Sequence, residues 1–368
     1  MEFLRTRRDL PIYPWCEGLI RIGADDTEVW EIPDPEGHWQ HLLGLCDGTR
    51  ADSAIIAAMA AMGVTTEEAQ GALTQLREAG IVVALNAPYT ESADDERVRG
   101  NLAYFWADHL DALAIQRHLE TMTITVIGGG GSHFLMHLAA LGVRQVRIVD
   151  YDRVDASNLN RQWMYDVQHI GRAKAEMASE YVARRVAGAA VQAFNQKLER
   201  VADVQAIIRG SDWVFCAADE PPYRMQRLVN RASIAENIPC IYAFSQRQSG
   251  RMMEVIPGVT GCVDCLLVTN DGRSPSFRQL VASLVGSHFQ PDTPLISPTL
   301  GLMTSWIMKR WVDLVTQPNL SRGNAVLRLD FPTLAVAPVS TWARRLDCVT
   351  CGDQSNADHA LWQLLPIA

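Results

Sequence analysis

The spacing of hydrophobic and polar positions changes near residue 90. Residues 1–90 carry strand-like apolar runs before and after a set of helical patterns, and these runs occupy 18–22, 28–32 and 81–85. Thr65 and Glu68 match a capping box, and the apolar positions after it recur at helical spacing until Gly80. This order of elements predicts a winged-helix-like domain over residues 1–90.

Strands alternate with helices from about residue 100 onward. Apolar runs predict strands at 123–127, 145–150 and 213–217, and amphipathic patterns predict helices at 132–141 and 173–186. Such alternation predicts an α/β fold with a Rossmann-like doubly wound parallel sheet, which binds ligands at the carboxyl ends of its strands. Residues 87–99 are polar and acidic without apolar periodicity, so we expect a linker near Asp94 and the second domain over 91–368.

Composition excludes several classes of protein. The 368 residues include 33 basic and 42 acidic side chains, a net charge of −9, which argues against binding to nucleic acid or to an anionic membrane. The most apolar long run, 298–315, contains Lys309, Arg310 and Asp313, so it fits a helix buried in protein. No signal-peptide core follows the N-terminal arginines, and we expect a cytoplasmic protein without a membrane-spanning segment.

A glycine-rich turn joins a predicted strand to a predicted helix. It consists of Gly128, Gly129, Gly130, Gly131 and Ser132. Bare backbone amides at the start of a helix can approach a phosphate, although a tight turn would need glycine as well. Asp150 and Asp152 end the next strand, where an acid accepts hydrogen bonds from ribose hydroxyls in dinucleotide-binding folds. The spacing differs from that of NAD-binding folds because His133 occupies the place of the third glycine.

Basic and amide side chains follow the second strand of this pattern. They are Asn158, Arg161 and Gln162, with Lys174 at the start of the next helix. A cation pair fits a triphosphate under attack, because Arg161 can hold phosphate oxygens with two donors and Lys174 can neutralise charge on a departing phosphate. Asp219 follows the strand at 213–217, where a carboxylate could bind Mg²⁺. Each residue alone would be an ordinary surface charge or helix cap.

Two CxxC pairs predict a structural zinc site. They comprise Cys262, Cys265, Cys348 and Cys351, and four thiolates leave no ligand position open for water. The remaining cysteines, Cys16, Cys46, Cys216 and Cys240, are scattered, and we expect them to be buried small hydrophobic residues. His133 and His137 lie one helical turn apart and could chelate a metal, but packing or proximity to phosphate is the simpler interpretation.

These motifs together resemble the ThiF/MoeB/E1 superfamily of adenylating enzymes over residues 97–352. The similar segments are VIGGGGSHFLMHLAALGV, DYDRVDASNLNRQ, IGRAK, CAADE and the two CxxC pairs. The resemblance implies attack of a substrate carboxylate on the α-phosphate of ATP. It further implies that Asp150 holds ribose, that Asn158, Arg161 and Lys174 hold phosphates, that Asp219 holds Mg²⁺, and that the chain forms a homodimer.

The chain departs from the pattern of this superfamily at two places. The glycine loop lacks the first glycine of the usual G-x-G-G-x-G or is one residue shorter. The superfamily also carries the motif R-Y-x-R ahead of the first strand. An arginine of this motif reaches the ATP bound to the partner subunit. Here Arg97 keeps the first arginine, Gly100 stands in place of the second, and Arg99 is a substitute one residue earlier.

The crossover segment, residues 266–298, contains no cysteine. Ubiquitin-activating relatives use a cysteine there to form a thioester, so its absence argues against a conjugating enzyme. Arg273, Arg278 and His288 in or near this segment could face an acidic peptide or could be surface charge. Whether ATP would be cleaved to AMP or to ADP stays open.

Residues 1–90 resemble the module with which ribosomal-peptide-modifying enzymes capture a leader peptide as an added strand, although a dimerisation role is an alternative. The combination points to E1-like enzymes of the microcin C type, which adenylate a peptide C-terminus, or of the pantocin A type, which activate and cyclise glutamate side chains. We favour the pantocin A type. Alternatives are adenylation of a ubiquitin-like sulfur carrier and a regulator that binds nucleotide and peptide without turnover.

Overall fold

The structure, a computed structural model, divides the chain into two compact units, Met1–Arg117 and His118–Ala368. It describes residues 2–16, 18–24, 28–90, 92–108, 110–128, 132–286, 294–317, 320 and 323–367. The division between the units falls later in the chain than the change of sequence pattern near residue 90.

The described residues of the N-terminal unit form two small antiparallel sheets and six helices or parts of helices. The strands are β1 (Phe3–Thr6), β2 (Ile12–Pro14), β3 (Leu19–Ile22), β4 (Trp30–Pro33), β5 (Asp47–Ala51) and β6 (Val82–Leu85). The helices are α1 (His38–Leu45), α2 (Asp52–Ala60), α3 (Thr66–Glu78), α4 (Ala93–Arg97), α5 (Arg99–Ala107) and α6 (Ala112–Thr121), which runs on into the second unit. The strand orders are β5-β1-β6 and β2-β3-β4.

Two helices of this unit begin with capping boxes, of which sequence analysis identified one. In α3 the Thr65 hydroxyl accepts from the Glu68 backbone N–H at 3.2 Å, and the Glu68 carboxylate accepts from the Thr65 N–H at 2.9 Å. The equivalent bonds between Ser92 and Asp95 start α4, inside the stretch that we expected to be a linker. Local capping bonds can stabilise a single helical turn without apolar residues at helical spacing. A search for that spacing therefore does not detect α4.

The C-terminal unit carries a larger set of elements around one sheet. Its strands are β7 (Thr123–Ile127), β8 (Gln145–Val149), β9 (Ala190–Phe194), β10 (Trp213–Cys216), β11 (Cys240–Gln246), β12 (Ser249–Val255), β13 (Ala325–Asp330) and β14 (Val336–Thr341). Its helices are α7 (Ser132–Leu141), α8 (Lys174–Arg185), α9 (Val201–Ile208), α10 (Arg224–Ala235), α11 (Val263–Arg273), α12 (Phe277–Gly286), α13 (Ser297–Thr316) and α14 (Leu361–Leu364). The five elements predicted in this region are confirmed to within one residue at each end.

The sheet confirms the doubly wound α/β prediction and extends it. Its order is β14-β13-β12-β11-β10-β7-β8-β9, with β11, β10, β7, β8 and β9 parallel and the three strands beyond β11 antiparallel. The chain passes from β7 to β8 on one side and later places β10 on the other side. The segments that leave the carboxyl ends of β7 and β10 therefore separate, which opens a crevice at this edge of the sheet.

The apolar run at 298–315 forms α13, which packs against α7 and β12. Its buried residues are Leu300, Met303, Thr304, Ile307, Met308, Trp311, Val312 and Leu314. Among the residues described, no helix combines the length and apolar character needed to span a bilayer.

A buried ion pair links α10, α11 and the C-terminal segment. Arg227 and Asp264 are 2% and 0% exposed, and Nε of Arg227 lies 2.8 Å from Oδ1 of Asp264. The same guanidinium donates to the carbonyl of Leu365 and lies 3.9 Å from the ring centroid of Trp362. Because Arg227 and Asp264 are both buried, removal of one would leave the charge of the other without compensation.

We expect Arg227→Met to destabilise the C-terminal unit by about 3–5 kcal/mol, because the Asp264 carboxylate would remain buried without its cation. Urea denaturation followed by tryptophan fluorescence measures this change. Arg200→Met, which removes an arginine from an exposed pair with Asp203, is the matched control and should leave the midpoint nearly unchanged. Equal midpoints for the two variants would show that the buried pair does not stabilise the unit.

Candidate functional site

A cavity of about 420 Å³ lies at the carboxyl ends of β7, β8 and β10. Its lining includes five residues that sequence analysis selected: Gly128, Asp150, Asp152, Lys174 and Asp219. The first and the last of them, Gly128 and Asp219, are 91 positions apart in the chain. The order of the strands brings them together, because β8, β7 and β10 are neighbours in the sheet.

Gly128 shows why this turn requires glycine. Its φ is +98°, in the region that side chains disfavour, and a Cβ built there would lie 2.6 Å from the backbone nitrogen of Ala218. The loops after β7 and β10 therefore touch through bare backbone. Gly129, Gly130 and Gly131 lie outside the described residues. Ser132 begins α7 as predicted.

Asp150 presents an unfilled acceptor to the cavity. The side chain is 6% exposed, and its Oδ1 accepts from the backbone N–H of Asp152 at 2.8 Å. Its Oδ2 is buried and has no hydrogen-bond partner among the described residues. Burial raises the pKa of Asp150 to about 6 because the charged form loses hydration, and the nearby Lys174 only partly offsets this. The site thus contains a carboxylate oxygen that a ligand hydroxyl could satisfy.

Lys174 is a buried cation at the wall of the same cavity. It is 7% exposed and begins α8, and its Nζ lies 2.9 Å from Oδ2 of Asp152. The Asp152 carboxylate is about half exposed. The backbone N–H of Lys174 also donates to the Asp152 carbonyl at 2.9 Å, so the cation is held in place by two contacts to one residue.

Asp219 lies where two cavities meet. A second cavity of about 140 Å³ shares Ala217 and Asp219 with the first and is also lined by Arg161 and Gln162. Asp219 is exposed, yet the surrounding residues reduce the hydration of its carboxyl group and so raise the pKa of that group. A carboxylate in this position can contact groups in both cavities.

The loop after β8 carries the remaining predicted contacts. Asn158 is buried and its side-chain oxygen accepts from the N–H of Asp155 at 3.1 Å, so that oxygen serves a local cap. The Arg161 guanidinium donates to the carbonyl of Ser157 at 2.9 Å and to the side chain of Asn160 at 2.7 Å. Arg161 and Gln162 reach the second cavity, whereas Asn158 lines neither of the two.

His133 holds this loop against the start of α7. Its Nε2 lies 2.7 Å from the carbonyl oxygen of Arg161, and since a carbonyl only accepts, Nε2 donates. The ring also packs on Trp163, with centroids 5.2 Å apart. His137 instead contacts the hydroxyl of Ser305 at 3.3 Å. The two histidines therefore make packing and hydrogen-bond contacts, which sequence analysis preferred over chelation without finding the bond to Arg161.

Arg97 and Arg99 lie in the N-terminal unit, at the end of α4 and the start of α5. Arg99 forms an ion pair with Glu96 at 3.8 Å. Their part in nucleotide binding stays a prediction.

The two CxxC pairs meet as predicted. The Sγ atoms of Cys262, Cys265, Cys348 and Cys351 all lie within 4.8 Å of one another. The Sγ–Sγ distances are 3.8 Å for Cys262–Cys265, 3.6 Å for Cys262–Cys348 and 3.4 Å for Cys265–Cys351. Tetrahedral thiolate zinc with bonds of about 2.3 Å requires sulfur separations of about 3.8 Å. Backbone N–H groups of Arg345 and Thr350 point at two of the sulfurs from 3.4 Å. The donor set fits zinc.

The other four cysteines follow the prediction with one exception. Cys46, Cys216 and Cys240 are buried, whereas Cys16 is exposed. The expectation for Cys16 was wrong because this residue lies in the connection between β2 and β3, outside the core.

The basic residues of the crossover region are already paired. Arg273 donates to the carbonyl of Thr341 at 2.6 Å, and Arg278 forms hydrogen bonds of 2.7–2.9 Å with Asp271. His288 lies outside the described residues. The two arginines are thus engaged within the protein, which weakens the idea that they receive an acidic peptide.

Comparison with known proteins gives matches by sequence and by structure. The ThiF family model matches residues 103–350. The NEDD8-activating enzyme E1 catalytic subunit of Caenorhabditis elegans is 31% identical over 162 residues, which cover 40% of this chain and 37% of that protein. The match therefore spans well under two thirds of that relative.

Solved structures match over nearly the whole chain. E. coli MccB with ATP has a TM-score of 0.68 and 16% identity, covering 96% of this chain and 100% of that chain. The Microcin C7 biosynthetic enzyme MccB in complex with N-formylated MccA has a TM-score of 0.67 and 16% identity, with the same coverage. PaaA has a TM-score of 0.66 and 18% identity, covering 91% and 99%. At these identities the similarity establishes the fold.

We expect Gly128→Ala to lower the free energy of unfolding by roughly 1–3 kcal/mol, because its Cβ would overlap the Ala218 backbone at a positive φ. Chemical denaturation measures the change. Gly272→Ala is the control, since that glycine lies in α11 with open space around it and alanine favours a helix. The prediction fails if Gly128→Ala is as stable as the Gly272→Ala control.

We expect the purified chain to hold one zinc ion, measured by elemental analysis, and Cys348→Ser to lose it together with thermal stability. Cys16→Ser removes an exposed cysteine far from the cluster in sequence and should keep the full metal content. Full metal content in Cys348→Ser would contradict the assignment.

Proposed function

Because the chain belongs to the ThiF family, we propose that it is an ATP-dependent adenylyltransferase that activates a carboxylate group. The observation that carries this proposal is the convergence of Asp150, Lys174 and Asp219 on one cavity at the crevice of the sheet. The resemblance of the whole fold to MccB solved with ATP supports it.

The cavity suits a nucleotide at both of its ends. Oδ2 of Asp150, which has no hydrogen-bond partner among the described residues, can accept a hydrogen bond from a ribose hydroxyl. The bare backbone at Gly128 allows close approach of a phosphate. Asp219 offers the hard oxygen donor that Mg²⁺ prefers, and a bound Mg²⁺ would supply neutralisation of phosphate charge.

In the proposed reaction a carboxylate oxygen of the substrate attacks the α-phosphorus of ATP. The bond from this phosphorus to the oxygen that bridges the α- and β-phosphates breaks. Pyrophosphate leaves with the electron pair of that bond. Lys174 is positioned to neutralise charge as pyrophosphate departs, and Arg161 in the adjoining cavity can hold its oxygens. Asn158, Gln162, Arg97 and Arg99 remain proposed contacts of the nucleotide.

We propose that the activated carboxylate belongs to a ribosomally made precursor peptide, whose leader the domain of residues 1–90 binds. The fold similarity to MccB in complex with N-formylated MccA, and to PaaA, supports a peptide substrate. We favour activation of a glutamate side chain followed by cyclisation, as in the pantocin A type, over adenylation of a peptide C-terminus. A homodimer and a structural zinc at the four cysteines complete the proposal.

A second candidate substrate is a ubiquitin-like carrier protein. The sequence match to a NEDD8-activating enzyme favours it, at 31% identity over 162 residues. The sequence from 266 to 298 has no cysteine for a thioester, so such a carrier would be released or attacked by another group. A regulator without turnover is the remaining alternative, and the exchange experiment tests it.

The proposal predicts that a gene for a short precursor peptide lies beside the gene of this protein. We expect the purified chain with Mg²⁺ to exchange labelled pyrophosphate into ATP when that peptide is present. Lys174→Ala and Asp219→Asn should reduce exchange by roughly 10²–10³-fold, because both groups act on charge that develops during transfer. Arg278→Gln, in which the lost cation is paired with Asp271, should retain activity.

The intact mass of the peptide distinguishes the outcomes. Loss of water indicates cyclisation, whereas gain of a nucleotidyl group indicates C-terminal adenylation. If pyrophosphate exchange occurs only with a carrier protein that ends in Gly-Gly, that carrier replaces the peptide as the proposed substrate. Peptide binding without any exchange or mass change would leave a regulator, and ADP as product would indicate phosphorylation.

A further inference from the structure

Two arginines stand side by side at the carboxyl edge of the large sheet. Arg251 of β12 and Arg328 of β13 are directly opposite in the antiparallel register. Opposite residues in such a pair have Cβ atoms about 5 Å apart, and like charges in this arrangement are destabilising. The sheet that carries this repulsive pair at its edge also forms the candidate site. The pair therefore needs a physical explanation.

The two side chains occupy the sheet face away from α13. A Cβ at the neighbouring Gly250 would overlap Met303 of α13, so the next residue along the strand, Arg251, points to the other face. Phe244 of β11 is opposite Arg251 in the register and shares that face. Arg251 also interacts electrostatically with Tyr223, four residues after Asp219. The arginine pair thus lies near the segment that carries Asp219, a residue of the candidate site.

The charge of this pair is incompletely neutralised within the protein. Arg328 donates to Asp330 at 2.6 Å, and that carboxylate is also held by Thr333. Arg251 forms no ion pair with any carboxylate in the described part of the chain. The Nε atoms of both arginines are buried and have no hydrogen-bond partner among the described residues. Burial and the neighbouring Arg328 guanidinium lower the pKa of Arg251.

We propose that Arg251 and Arg328 form a binding site for an acidic side chain of the peptide substrate. The inference rests on the proposed function, and it names the class of that substrate as acidic. Two adjacent guanidinium groups can present their terminal N–H groups to the planar, bidentate acceptor geometry of a carboxylate. The bound carboxylate would supply the anion that Arg251 lacks among the described residues.

The spacing predicts where this acidic residue lies in the peptide. β12 is two strands from β10, a distance of about 10 Å. An extended peptide advances about 3.3 Å per residue. The acidic residue should therefore lie about three positions from the carboxylate that reacts near Asp219.

The test measures binding of fluorescein-labelled hexaglutamate by anisotropy at low ionic strength, without ATP. We expect Arg251→Gln to weaken binding roughly tenfold or more, and Arg251→Lys to retain part of it. Arg328→Gln should weaken binding by a smaller factor, because Arg328 also pairs with Asp330. Arg278→Gln and Arg200→Gln change the net charge equally but remove arginines paired with Asp271 and Asp203, so they should bind as wild type. Labelled hexaglutamine should bind none of the proteins.

Equal binding by Arg251→Gln and Arg278→Gln would overturn the proposal, as would stronger competition by inorganic phosphate than by glutarate. If Arg251→Gln does not fold, Arg328→Gln carries the same test with its smaller expected loss. Selective hexaglutamate binding in a protein that shows no pyrophosphate exchange would preserve this site and refute the adenylation proposal instead.

Discussion

The reversal of winding at β7 is the constraint on which the site depends. Because β7 pairs with β8 on one side and with β10 on the other, the segments after these strands part and leave a cavity between them. Gly128 and Ala218 line this cavity, and their backbones approach too closely for a side chain at position 128. Asp150 follows β8 and Asp219 follows the loop after β10, on the two sides of β7, and Lys174 begins the helix that lines the same cavity.

The charges of the cavity are held in place by the protein itself. Lys174 is buried against Asp152, while Asp150 has a raised pKa and one oxygen that no described residue satisfies. Burial of such groups opposes folding unless another interaction compensates. The Arg251–Arg328 pair has the same character on the antiparallel extension of the sheet. Local rules of stability are broken where the proposed chemistry takes place, as functional sites commonly show.

The cysteine cluster and the buried ion pair form one connected support. Asp264 lies between Cys262 and Cys265, and Thr350 lies between Cys348 and Cys351. The Thr350 hydroxyl donates to Asp264 at 2.6 Å, so the two cysteine pairs are joined by a hydrogen bond as well as by proximity of their sulfurs. Asp264 in turn binds Arg227, which contacts the C-terminal segment. The last residues of the chain are thereby attached to the helices behind the sheet.

The sequence alone determined the elements whose signals are local or motif-like. Hydrophobic spacing identified β7, α7, β8, α8 and β10, the capping residues identified α3, and the CxxC pairs identified their own cluster. Residue type and position after a strand were enough to select Asp150, Lys174 and Asp219. Only the tertiary structure decided what depends on distant partners. It shows that Arg278 is paired, that Arg251 has no carboxylate partner in the part of the chain described, that His133 holds Arg161, and that antiparallel strands extend the sheet. The physical reason is that the pairing of a charge depends on which distant segments fold against it, and no local pattern encodes those contacts.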